Sequence, residues 1–129
     1  MPCLSSIQAM GTFNVAIEIG DQQGQRWEHV EALVDTGASY TWVPQDVLRR
    51  LGIEPDFSFE FETADGRVIE RGAAETYARL NGDRRTTLVV FRDEGSRALL
   101  RAYTMEGFGV APDPVNRRLV RVRGLAMSL

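Results

Sequence analysis

The sequence has one cysteine, Cys3, one histidine, His29, and no lysine at all; its 15 basic residues are arginines. A single cysteine excludes an intramolecular disulfide, a cysteine-rich zinc site and CxxC redox chemistry, and it suits a reducing cytoplasm. His29 lies between Glu28 and Val30 in polar, strand-like sequence and reads as a surface histidine. Ser/His/Asp and Cys/His chemistry would have to use it, and nothing else marks it for that. The HExxH zinc pattern is absent. The lack of lysine removes Schiff-base chemistry and a Walker-type phosphate loop. No apolar run approaches the roughly 20 residues of a membrane helix. The opening "MPCLSSIQAM" has neither a basic segment nor a long apolar one, so no signal peptide is expected. A net charge of −3 argues against nucleic acid as the main partner.

What is present suits one small soluble domain: 129 residues, 43% hydrophobic and 26% charged. Residues 1–9 read as an N-terminal extension, and 10–129 as a single domain. "GTFNVAIEIG" alternates, with Phe13, Val15, Ile17 and Ile19 on one face, and predicts a half-buried strand. "DQQGQ" is a turn, and "RWEHVEALV" returns as a second strand. "VPQDVLRRLG" predicts a helix with Pro44 in its first turn, Val47, Leu48 and Leu51 on one face, and Gly52 at its end. Phe57, Phe59 and Phe61 alternate with polar residues up to the turn Ala64-Asp65-Gly66-Arg67, and Val68 to Leu80 returns. Asn81-Gly82 is a tight turn before "RRTTLVVF". A short helix is expected from Arg101 to Glu106, ended near Gly107, followed by strand, Pro-rich turn and strand in "VAPDPVNRRLVRV". The total predicts a mostly β, barrel-like domain with one or two short helices.

One stretch carries chemistry. In "ALVDTGASYTWVP" an apolar run leads into Asp35, small and hydroxyl-bearing residues follow, and apolar sequence resumes. A carboxylate beside apolar sequence is costly unless solvated, hydrogen-bonded or paired. Asp35 either caps an ordinary turn or is held there for use. Asp-Thr-Gly occurs by chance in on the order of a few per cent of chains this long, so the tripeptide alone does not decide. Its context sharpens it: a strand fixes the backbone, Gly37 permits close approach of another segment, and the hydroxyls of Thr36 and Ser39 can donate or bridge.

The motif "LVDTGASYTWVP", with the weaker "ALLRAYTMEGFGV" and "DPVNRRLV", resembles the retropepsin-like aspartic proteases, the single-domain relatives of retroviral proteases, over roughly Met10 to Leu125. The resemblance implies a small closed β-barrel with a flap hairpin. It makes Asp35 the catalytic aspartate, supported by Thr36 as a brace between active-site loops, Gly37 at the floor of the site, Ser39 on the outer carboxylate oxygen, and Ala38. Ala64, Asp65, Gly66 and Arg67 would form the flap tip. Leu99 and Leu100 would be the apolar pair beneath the catalytic loop, with Arg101 where the family usually has glycine. The implied activity is endopeptidase action on a peptide or protein substrate at acidic to mildly acidic pH, with no cofactor, no metal, no nucleic acid and no membrane.

That chemistry uses two acids sharing one proton. The chain has one Asp-Thr-Gly, so the second carboxylate must come from another copy, in a C2 homodimer. Arg101 is a departure: a guanidinium near the two acids favours their ionised forms. Either it points outward to solvent or an acid, or the site is impaired. The alternative to the enzyme is a catalytically impaired dimer that binds a peptide or partner protein. Elsewhere, Arg117, Arg118, Arg121 and Arg123 read as the outer face of a strand, and Tyr40, Trp27 and Trp42 as core or subsite-lining aromatics.

Overall fold

The computed structural model describes residues 12–36 and 40–123. The alternating segments at the start form β1 (Asn14–Gly20) and β2 (Trp27–Val34), antiparallel from Asn14↔Leu33 to Gly20↔Trp27. The buried carboxylate of Asp21 closes the turn between them by accepting from the backbone N–H groups of Gln25 and Arg26 at 2.8 and 3.3 Å. Then come β3 (Thr41–Pro44), α1 (Gln45–Arg50), β4 (Phe57–Glu62), β5 (Val68–Leu80), β6 (Asp83–Arg92), β7 (Ala98–Leu100), α2 (Ala102–Phe108), β8 (Val110–Asp113) and β9 (Arg118–Arg121).

The sheet order is β1-β2-β7-β3-β6-β5-β4, and β1 also pairs with β5 through Glu18↔Arg79 and Ile19↔Ala78. That last pairing closes six strands into a barrel and leaves β4 as an outward extension of β5, while β8 and β9 form a separate hairpin. Closure removes the unpaired edges an open sheet would expose. Inside lie the faces the alternation marked: Ile17 and Ile19 of β1, Val34 of β2, Val43 of β3, Val89 of β6 and Leu100 of β7, joined by Leu48 and Ile53.

One strand serves two structures. Residues 68–72 of β5 are exposed or half-buried, and burial begins at Ala73 where the strand enters the barrel. Gly72 marks the change: a Cβ there would stand 2.8 Å from the Cβ and Cγ of Pro55, so only glycine lets the two segments cross.

Both helices differ from expectation at their ends, and the second starts at Ala102, with Arg101 extended just before it rather than inside the helix. Pro44 completes β3 and sits just before α1 rather than in its first turn. The second helix runs past Gly107 to Phe108 and ends on Gly109, which takes the left-handed conformation at φ 67°. The reason is packing: Phe108 is buried in the core, which rewards another residue of helix, and Gly107 lacks the positive φ that Gly109 takes to end it.

Candidate active site

Asp35 is placed by the two strands that flank its own position. Val34 ends β2 fully buried, in parallel register with Leu100 of β7. The ladder continues one step further, as the N–H of Asp35 donates to the carbonyl oxygen of Leu100 at 3.0 Å. On its other side β7 pairs with β3 at Trp42↔Leu99, so β7 lies between the strand entering the motif and the strand leaving it. The acid is thereby carried to the end of the barrel wall, where its side chain is 36% exposed. Thr36 follows as an exposed residue; Gly37, Ala38 and Ser39 lie outside the described residues.

Leu99 is half-buried and Leu100 fully buried. Arg101 turns to the acid: its Nη2 stands 3.1 Å from Asp35 Oδ2, and its side chain is only 15% exposed. It does not run outward to solvent. Its backbone is pinned. The Arg101 N–H donates to Thr41 Oγ1 at 3.0 Å, and its carbonyl accepts the N–H of Met105 at 3.1 Å. Thr41 belongs to a buried chain of hydroxyls, 2.7 Å from Thr104, which is 2.8 Å from Thr87. The chain lets three polar groups sit in the core with their hydrogen bonds made. The guanidinium Nε is buried with no hydrogen-bond partner among the described residues.

The β4–β5 hairpin turns where the sequence predicts, between Thr63 and Arg67, with Gly66 at φ 85°. The N–H of Thr63 donates to the Arg67 carbonyl at 2.7 Å, and the Thr63 hydroxyl bonds Asp65. That hydroxyl and the Arg67 guanidinium, 3.0 Å from Oδ2, hold the Asp65 carboxyl below its ordinary range. All of Ala64, Asp65, Gly66 and Arg67 are exposed.

An aromatic cluster joins this hairpin to the segment after the motif. The ring of Phe59 stacks on Tyr40 at 4.9 Å and 5°, Phe61 meets Trp42 at 4.9 Å, and Tyr40 meets Tyr103 at 5.5 Å. Alternation in "FSFEFE" puts three rings on one face; the rings they meet come from segments distant in sequence, which no local pattern reveals. The C-terminal arginines are exposed on β9 and beside it, with Arg121 3.5 Å from Asp83 and Arg118 3.9 Å from Asp113. His29 is exposed, 3.9 Å from Glu18. Among the described residues no cluster of three or more His, Cys, Asp or Glu side chains could hold a metal, and no helix is long and apolar enough to cross a membrane.

Residues 23–100 match the family of the gag-polyprotein putative aspartyl protease, a span that includes Asp35, the β4–β5 hairpin and Leu99-Leu100 and stops before Arg101. Among solved structures, the barrel is similar to the protease of simian foamy virus (mac), at 19% identity and TM-score 0.54 over 73% of this chain and 92% of that one. It is similar also to a retropepsin-like aspartic protease from Rickettsia conorii, at 19% identity and TM-score 0.55 over 80% and 85%. No curated protein matches. At these identities the solved structures speak for the fold, and the family match covers more than half of the sequence. The chain belongs to the retropepsin-like aspartic protease family.

Proposed function

We propose that the protein is an aspartic endopeptidase in which Asp35 meets its counterpart from a second copy across a two-fold axis. The observation that carries this reading is the Asp35 carboxylate, half-exposed at the end of β2 and fixed through its backbone to Leu100 within a family-matched span. One acid takes a proton from water, and the other, protonated, donates to the substrate carbonyl oxygen. The resulting hydroxyl adds to the carbonyl carbon, the C–N bond breaks, and the amine leaves with a proton. Two carboxylates about 3 Å apart do not both ionise cheaply, which is why they share one.

In this reading Thr36 braces the two active-site loops, Gly37 lies at the floor with Ala38 as further support, and Ser39 bonds the outer carboxylate oxygen. The β4–β5 hairpin is the flap, with Ala64, Asp65, Gly66 and Arg67 at its tip. Substrate lies beneath it as an extended strand bonded through its backbone. Residues 10–129 act as one domain behind the extension 1–9, and a reducing cytoplasm suits a chain with one cysteine.

A second reading, a peptide- or protein-binding dimer with impaired catalysis, is favoured by the Arg101 Nη2 contact at 3.1 Å from Asp35. A peptide-library digest followed by mass spectrometry, run across pH with wild type and Asp35→Asn, separates them. Cleavage that Asp35→Asn abolishes, lost also when the dimer is dissociated, is the expected result. Peptide binding indifferent to Asp35→Asn, with no cleavage anywhere in the library, would establish the binding module instead.

A further inference from the structure

We infer that Arg101 and the ring contacts of the flap form one self-restraining latch on Asp35, so that the acid is held by its own chain until a peptide lifts the flap. This regulation rests on Asp35 being the reacting acid. Three observations converge on it.

The first is the contact itself. Arg101 Nη2 lies 3.1 Å from Asp35 Oδ2, and the guanidinium is the more deeply buried partner, 15% against 36% exposed. Its Nε is desolvated without a hydrogen-bond acceptor among the described residues. A buried N–H left without an acceptor is unfavourable, so another arrangement of the same side chain relieves it.

The second is how the flap strand is held. Among the described residues, β4 pairs along one edge only, with β5. Beyond that ladder, ring contacts tie it to the barrel: Phe59 on Tyr40 and Phe61 on Trp42. Phe59 and Tyr40 are stacked nearly parallel at 4.9 Å, which leaves no gap for a peptide strand between them.

The third is that the flap rests on the same two segments that fix Arg101. Tyr40 adjoins Thr41, whose Oγ1 accepts the Arg101 N–H, and Tyr40 also meets Tyr103, two residues beyond Arg101. A peptide entering beneath β4 must part Phe59 from Tyr40. That removes one of the contacts packing Tyr40 and Tyr103 and loosens the start of α2, where Arg101 stands. The peptide binds the raised flap and not the lowered one, and this difference in affinity is what shifts the population. With no peptide, the ring stack is closed and the acid is paired.

Hydrogen exchange on the full chain tests the coupling without relying on catalysis. Amides of residues 57–62 and 68–72 are followed in wild type, Arg101→Gln, Arg101→Ala, Asp35→Asn and the double variant Asp35→Asn/Arg101→Gln, with β1 amides as internal reference. Each single variant should speed flap exchange roughly three- to tenfold relative to β1, and the double variant no more than the faster single one. Flap exchange unchanged in both Arg101 variants overturns the latch, and so does a double variant whose acceleration is the product of the two singles. Arg101→Gln keeps the side chain's length, so a folding failure of Arg101→Ala does not remove the test. In the same preparations, turnover of a short peptide should rise on Arg101→Gln; a fall overturns the latch. Coupled exchange in a wild type that cleaves nothing would instead remove the protease reading and leave the latch on a binding groove.

Discussion

The N–H of Asp35 donates to the carbonyl oxygen of Leu100 at 3.0 Å, and the residue after Leu100 is the one whose guanidinium meets the Asp35 carboxylate. The backbones of acid and cation are therefore set by one parallel ladder, β2 on β7, while their contact is made by side chains. Leu100 is fully buried at the end of that ladder. Leu100→Ala should cost about 2–5 kcal/mol of stability, the usual range for a leucine truncated in a core, while Leu100→Met should cost less than about 1.5 kcal/mol. Denaturant unfolding of the two variants checks this.

The hydroxyl chain Thr41–Thr104–Thr87 is entirely buried. Thr104→Val keeps the shape and strands the Thr87 hydroxyl, while Thr41 still accepts the Arg101 N–H, so it should destabilise by roughly 1–3 kcal/mol, about one unsatisfied buried group. Thr104→Ser keeps the hydroxyl and should recover most of the loss. Thermal melts of the three proteins read the difference, and equal melting of Thr104→Val and wild type would show the chain to be dispensable.

Gly72 predicts a steric effect at the root of the flap. Gly72→Ala sets a methyl 2.8 Å from the Pro55 ring, and Pro55 is too stiff to yield without moving the backbone. Overpacking of this kind costs about 1–3 kcal/mol. Hydrogen exchange should show the loss in β4 and the first third of β5, with the barrel strands little changed.

Acid sensitivity has a defined sign. The Arg79 guanidinium, hydrogen-bonded to Glu18 at 2.8 Å, holds that carboxyl below its ordinary 4.5. The Gln25 N–H does the same for Asp21 relative to 3.8, and Asn116 for Asp113. In each case the fold favours the ionised form, so the unfolded chain binds protons first as pH falls. Their stabilisation is complete above the ordinary carboxylate values and is lost as pH drops through the lowered ones. Stability should therefore decline as pH falls below about 5. Glu18→Gln and Asp21→Asn should flatten that decline, measured as the urea midpoint against pH.

Much of this molecule was legible in one dimension. Alternation in residues 13–19 placed β1, the Phe57, Phe59 and Phe61 repeat placed β4, and Asp65-Gly66 placed the hairpin tip, because each follows from a period of two or from the backbone freedom of glycine. Helix ends were read less well. Gly107 and Gly109 stand two apart in sequence, and only the burial of Phe108 between them chose the second.

The sequence by itself determined that the chain is mostly β, that Asp35 follows an apolar strand into a turn of small residues, and that no second Asp-Thr-Gly exists to complete a pair. Tertiary structure alone decided that β7 slides between β2 and β3, that Arg101 turns inward onto Asp35, and that Phe59 comes down on Tyr40. The physical reason is separation along the chain. Local propensity and periodicity act over a few residues, whereas Asp35 and Arg101 are 66 positions apart and meet only once the barrel has closed.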